Sequence, residues 1–323
     1  MPRVVMTLPV PGPAADRLRE HCQLEILGAI LPPEQYRRAI AGADGLLPQL
    51  RDLIDEPALE AAGRQLRVVS NYAVGLDNVD LEACTRRGVF VGHTPEVLTG
   101  ATADLAMTLL LASARRVAEA DQEMRLGHYH GWEPDYLLGH EVNGKTLGLL
   151  GFGRIGQALA RRAHLGFSMR VLAHDPLGVG PLAGVVVEAS GLDRVLAESD
   201  FVSCHVPLTP ETHHLIGARQ LAAMRPSAIL INTSRGPVID EAALVEALRA
   251  GTIAGAGLDV YEREPLMAPG LAECRNAVLL PHLGSATWET RSAMGELAAQ
   301  NVLEVLAGRP PLAWANPQLG RPH

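Results

Sequence analysis

The chain reads as an α/β protein of two doubly wound parallel-sheet domains, and three observations predict this. Its 323 residues exceed what one hydrophobic core usually supports. Short apolar runs alternate with helical stretches along the whole sequence, the pattern of a parallel sheet covered on both faces. One of those runs opens into a glycine-rich turn, and an acid stands at the end of the next run.

Composition fits that class and narrows the partners. Hydrophobic residues make up 47% and charged residues 20%, ordinary values for a globular enzyme. A net charge of −8 argues against a nucleic-acid or anionic-membrane surface. No apolar run approaches the ~18 residues of a membrane span. The opening MPRVVMTLPVPG is too short and too rich in proline for a signal peptide and reads as a first strand and turn. Cys22, Cys84, Cys204 and Cys274 are scattered with no C-x-x-C, which suits reduced buried thiols in a cytoplasm.

Taken in order, the first hundred residues offer strands at Val4–Leu8, Leu24–Ile26, Gly45–Leu47, Val68–Ser70 and Val89–Val91. Helical patterns such as Ala14–His21 and Glu34–Ala41 lie between them, a doubly wound, flavodoxin-like arrangement. Thr99–Leu126 has no glycine or proline after Gly100 and predicts one long helix, bridging two domains or packing against a partner chain. Further strands are expected at Phe201–His205, Ala228–Asn232, Gly257–Val260 and Val278–Leu280, and a last helix over Thr287–Leu306 returns the chain to the first domain. The second domain, 99–286, is thus expected as an insertion between 1–98 and 287–323, with the cleft between domains as the default ligand site.

The most informative stretch is LGLLGFGRIG, 147–156. A buried strand (Leu147, Leu149, Leu150) leads into Gly151, Gly153 and Gly156, and Ile155 to Ala163 reads as a helix. In this G-x-G-x-x-G pattern the first glycine permits a tight turn. The second lets a pyrophosphate approach the backbone, and the third lets helix and strand pack closely. The phosphates would rest on the amides and positive dipole of the helix start. A second strand, Met169–Ala173, ends just before Asp175, nineteen residues beyond Gly156, where a carboxylate accepts from a ribose 2′-hydroxyl. Together these predict a Rossmann-type dinucleotide domain. Asp175 would repel a 2′-phosphate and the following PLGVGPLAG holds no cation, so NAD is expected over NADP; a protonated His174 would oppose part of that repulsion.

Three segments at strand ends carry candidate chemistry. In INTSRG (231–236), Arg235 projects beyond the carboxyl edge of the sheet, where its planar, permanently charged guanidinium suits a carboxylate. In GLDVYEREP (257–265), Asp259 lies within a strand pattern and Glu264 in the turn beyond. In LLPHLGS (279–285), His282 directly follows an apolar strand. Hydride transfer to a ketone needs a proton for the forming alkoxide, which an imidazole supplies and a neighbouring carboxylate steadies. His128/His130 and His213/His214 lack a third partner at metal-ligand spacing, so no metal site is expected. No G-x-S-x-G hydrolase signature occurs.

These segments, with NYAVGLDNVD (71–80), TADLAMTLLLASAR (102–115), GKTLGLLGFGRIG (144–156) and HVPLTPETHHLI (205–216), resemble the D-isomer-specific 2-hydroxyacid dehydrogenases over nearly the whole chain. The resemblance implies that 99–286 is the dinucleotide domain and that 1–98 with 287–323 form the substrate domain. It implies Arg235 as substrate-binding arginine, His282 as acid/base and Glu264 as its partner. The amides of Val74 and Gly75 would hold the substrate carboxylate, with Ser285 bordering it. Arg154 and Ile155 would meet the pyrophosphate, and Asp175 and Pro176 the adenosine ribose. Pro207 and Thr212 would line the cofactor cleft, Thr233 and Asp259 would face the nicotinamide side, and Val206, Ser234 and Gly284 would also bind the cofactor.

Within the family the chain is most similar to glyoxylate/hydroxypyruvate reductases, through VVSNYAVGLDNVD and GWEPDYLLGHEVNGKTLG. That likeness implies a homodimer in which Tyr136, with Trp132 as second choice, reaches into the partner's pocket. It departs at Asp175, where many subgroup members carry a serine or arginine associated with NADPH. Phosphite dehydrogenases are also similar, but they use a lysine where this chain has Val74. A reductase of another 2-keto acid, such as 2-ketogluconate, and an NADH-sensing binding protein like the corepressors that resemble this family are the alternatives.

Overall fold

The computed structural model describes residues 1–320. It divides into two compact units, Thr99–Gly284 and a second formed by Met1–Leu98 with the chain from Ser285. The later boundary falls two residues before the expected 286/287. Gly284 is tied to the inserted unit: its amide donates to Asp259 Oδ2 (2.8 Å), and its carbonyl accepts from Thr102 Oγ1 (3.1 Å). The last three positions of the expected 287–323 segment lie outside the described residues.

The discontinuous unit is a five-stranded parallel sheet of β1 (Arg3–Met6), β2 (Gln23–Ile26), β3 (Gly45–Leu47), β4 (Val68–Ser70) and β5 (Phe90–Gly92), in the order β2-β1-β3-β4-β5. This is the flavodoxin-like order. The crossovers are α1 (Ala14–His21), α2 (Pro33–Ala39), α3 (Glu56–Ala62) and α4 (Leu81–Arg86). Asp55 and Asp80 cap α3 and α4, accepting from the amides of Ala58 (2.9 Å) and Ala83 (2.8 Å).

The inserted unit begins with α5 (Thr99–Ala114) and α6 (Val117–Arg125). The single long helix expected over Thr99–Leu126 is therefore broken, and the cause lies far along the chain. The Ala114 carbonyl, which would accept the next helical amide, instead accepts from His140 (2.8 Å), and Arg116 turns left-handed at φ 51°. Within its own unit α5 packs on the strands Ile229–Asn232, Gly255–Leu258 and Ala277–Leu279 and on the helix Arg154–Phe167.

There follow β6 (Thr146–Leu150), α7 (Arg154–Phe167), β7 (Arg170–His174), β8 (Val187–Ala189), α8 (Leu192–Glu198), β9 (Phe201–Cys204), α9 (Ala218–Ala223), β10 (Ile229–Asn232), α10 (Glu241–Ala250), β11 (Gly255–Leu258) and β12 (Ala277–Leu279). All seven strands pair in parallel in the order β12-β11-β10-β9-β6-β7-β8. That is a Rossmann sheet, with the strand order reversing between β6 and β9. Because helices cover both faces, Leu147, Leu149 and Leu150 are all fully buried, which is why the strand reads as a continuous apolar run. A final helix, α11 (Trp288–Leu306), packs on β3, β4 and β5, as the return to the first domain requires.

Candidate active site

In a parallel sheet the strand ends at the carboxyl edge share one rim, and the reversal point leaves a crevice there. Gly151 follows β6, with φ 95°, and a Cβ on it would sit 2.7 Å from the His205 carbonyl carbon beyond β9. Gly156, in the first turn of α7, lies against the Gly151 carbonyl with no room for a side chain. Gly153, the N-cap of α7, differs: nothing lies within 4 Å of where its Cβ would stand. Two glycines thus close the loop on the protein, and the third leaves backbone open to an incoming group at the helix start, beside Arg154 and Ile155.

Asp175 and Pro176 directly follow β7. The Asp175 carboxylate accepts from the amides of Phe152 (2.7 Å) and Leu177 (2.9 Å), which fixes it beside the glycine loop. His174 turns its Nδ1 toward the Ser190 carbonyl (3.2 Å). Beyond β9, Val206 is buried, and Thr212 Oγ1 donates to the Pro207 carbonyl (2.6 Å) and accepts from the Thr209 amide (2.8 Å), closing the turn. Thr233 Oγ1, after β10, is buried and has no hydrogen-bond partner among the described residues. A buried hydroxyl without a partner is costly and marks a place where a ligand group would bond. Open Gly153, anchored Asp175 and this hydroxyl fit a dinucleotide, which when bound supplies a hydride equivalent.

The end of β10 is shaped by Asn232. Its Oδ1 accepts from the Ser234 amide (3.0 Å) and hydroxyl (2.8 Å), and its Nδ2 donates to the Arg235 carbonyl (2.9 Å). Gly236 then lies so close to the Tyr261 carbonyl that a side chain would overlap it. Arg235 therefore leaves the sheet in one direction, its Nη1 donating to the Ser234 carbonyl (2.7 Å).

Beyond β11 and β12 lies the pair with the clearest chemistry. His282 Nδ1 is 2.9 Å from Glu264 Oε2, with both side chains about one-third exposed. Glu264 Oε1 accepts from the Tyr261 amide (3.2 Å), and Tyr261 Oη donates to the Leu280 carbonyl (2.9 Å), which ties the two segments together. Burial raises the Glu264 pKa, but the hydrogen bond and charge of His282, the Tyr261 amide and the Arg235 charge outweigh it and hold the carboxyl below the usual glutamate range. His282 sits at φ 56°, a left-handed conformation tolerated by few side chains, and its amide donates to the Asp259 carbonyl (2.9 Å). Asp259 is buried and its carboxylate accepts from the amides of Leu283 (2.6 Å) and Gly284 (2.8 Å). Burial nevertheless raises its pKa. Its visible task is to shape the turn that carries His282, a role the sequence did not disclose.

Arg235, Glu264, His282 and the dinucleotide residues thus all stand at strand ends of one sheet. Val74, Gly75 and Ser285 belong to the other unit. There the buried Asn71 and Asn78 amides support the loop: Asn71 Nδ2 donates to the Gly75 carbonyl (2.9 Å) and Asn78 Nδ2 to the Asp52 carbonyl (2.8 Å), while Val74 is exposed. Tyr136 and Trp132 are exposed in the stretch between α6 and β6.

A Rossmann sheet with an arginine and a carboxylate-bound histidine on its rim defines a dehydrogenase of hydroxy acids. Residues 107–284 match the family model of the D-isomer-specific 2-hydroxyacid dehydrogenase NAD-binding domain, and the chain belongs to that family. A glyoxylate reductase of Thermococcus gammatolerans is 47% identical over 326 residues, covering 98% of this chain and 97% of the relative. The crystal structure of the TT0316 protein from Thermus thermophilus superposes with a TM-score of 0.92 at 48% identity, covering 97% and 99% of the two chains. That of an NADPH-dependent glyoxylate/hydroxypyruvate reductase from Sinorhizobium meliloti, in complex with NADP and malonate, gives 0.86 at 33% identity, covering 100% and 99%.

Proposed function

We propose that this chain reduces glyoxylate and hydroxypyruvate to glycolate and D-glycerate with NADH. The observation that carries the reading is the Glu264–His282 pair at 2.9 Å on the rim that also bears Arg235, in a chain 47% identical to a glyoxylate reductase. Arg235 grips the substrate carboxylate and polarises the carbonyl. Glu264 engages Nδ1, so Nε2 of His282 is the nitrogen that delivers the proton to the carbonyl oxygen; a bound dinucleotide would supply the hydride. In the reverse direction the same nitrogen accepts the hydroxyl proton.

NADH is favoured over NADPH by Asp175, whose carboxylate repels a 2′-phosphate, with no lysine or arginine in 176–184 to offset it. A homodimer accounts for the apolar side chains standing out on and after α6, among them Val117 and Met124 (both more than half exposed) and Trp132 at 81% exposure. Tyr136 is then the residue offered to the partner's pocket. Four buried, unpaired cysteines favour the cytoplasm.

The test is steady-state kinetics with glyoxylate, hydroxypyruvate, pyruvate and 2-ketogluconate, each with NADH and NADPH. The two small substrates with NADH should give the highest kcat/KM. Preference for 2-ketogluconate, or no turnover of any 2-keto acid, contradicts the proposal.

A further inference from the structure

Two residues before Glu264 and four after it, the backbone is held by one buried side chain on a different element. Glu241 is the first residue of α10 and only 3% exposed. Its Oε1 accepts from the Glu262 amide (2.5 Å) and its Oε2 from the Ala268 amide (2.8 Å). Glu262 returns the contact: its Oε2 accepts from the Glu241 amide (3.1 Å), and its Oε1 is bonded to His214 Nε2 (2.8 Å). The segment 262–268 carries Glu264 and has neither helix nor strand of its own. Its two ends are thus fastened by a single carboxylate, which is fixed in turn because Asp240 caps α10 through the Ala243 amide (3.0 Å).

A carboxylate this buried is costly to desolvate; the Glu262 and Ala268 amides offset part of that cost, and burial still raises its pKa. Among the charged groups around Glu264, His282 and Arg235 attract it, while Asp259, Glu241 and Glu262 share its sign. The attraction to His282 acts at hydrogen-bond distance only while the segment, which has no helix or strand of its own, keeps Glu264 there. We infer that Glu241 is a positioning residue for the reduction: by clamping 262 and 268 it holds Glu264 against His282 Nδ1. The inference rests on the proposed acid/base role of the Glu264–His282 pair.

Glu241→Gln is the isosteric test, because an amide cannot accept from both the Glu262 and Ala268 N–H groups through separate oxygens. We expect kcat for glyoxylate with NADH to fall about tenfold or more, on the scale by which small misplacements slow catalysis, with KM for both reactants within about twofold. The downfield proton resonance of His282 Nδ1–H, assigned by its loss in Glu264→Gln, should weaken or move upfield. The double variant Glu241→Gln/Glu264→Gln should be no slower than Glu264→Gln alone. Glu246→Gln, at an 80% exposed side chain on the same helix, serves as control and should match wild type. Unchanged kcat and resonance with only a lower Tm, or a double variant slowed by the product of the single effects, overturns the inference. If Glu264→Gln itself keeps wild-type kcat, the acid/base reading fails instead. Should Glu241→Gln not fold, Glu262→Ala removes the acceptor of the Glu241 amide and carries the same expectations.

Discussion

His282 Nδ1 and Glu264 Oε2 face each other at 2.9 Å across two strand ends of one sheet, which leaves Nε2 as the ring nitrogen available to a substrate. The carboxyl lies below its ordinary value of 4.5, because the bond and charge of His282 exceed the opposing effect of burial. A depressed carboxylate confers its stabilisation above its unfolded pKa and loses it as pH falls through the folded value. The pair should therefore persist below pH 4.5, and the acid limb of kcat/KM for glyoxylate reduction should lie below that value. Glu264→Gln should lower kcat by about 100-fold and abolish that limb, as read from a pH–rate profile.

Arg235→Ala should reduce kcat/KM for glyoxylate by about 100- to 1,000-fold, the scale of a lost charge-assisted pair in a shielded site. Arg235→Lys should recover only a small part, since a point charge does not reproduce the planar fork. The Kd of NADH, measured by fluorescence titration, should stay within about twofold in both.

The glycine loop separates folding from binding. Gly151→Ala forces a side chain into the His205 backbone at φ 95° and should depress Tm markedly. Gly153→Ala meets no protein atom, so Tm should hold while the Kd of NADH rises about tenfold or more, because the new methyl stands where a pyrophosphate approaches. Thermal melts and NADH titrations of the two variants should give opposite patterns.

Asp175→Ala should narrow the ratio of kcat/KM for NADH over NADPH, chiefly by improving NADPH. The same change removes acceptors from the amides of Phe152 and Leu177, so some loss of NADH affinity should accompany it. An unchanged ratio would show that the preference lies elsewhere in the loop.

The sequence disclosed the strands and the loop chemistry because both are local. Leu147–Leu150 must be apolar to be covered on both faces, and Gly151 and Gly156 must lack side chains to let the loop close. Three features were hidden for one reason: each depends on residues distant in the chain. The helix break at Arg116 follows from His140 taking the Ala114 carbonyl. Strand β8 is three half-exposed residues whose order comes from pairing to β7. The task of Asp259 appears only when Leu283 and Gly284 fold back onto it.

The most direct measurement is single-turnover oxidation of bound NADH by glyoxylate in wild type and His282→Gln, with NADH affinity measured alongside. The Glu264–His282 pair as proton donor predicts a loss of 100-fold or more at unchanged NADH Kd, within the ~10²–10⁴ span of general acid catalysis. A variant that oxidises NADH within a few-fold of wild type would mean that the proton comes from elsewhere.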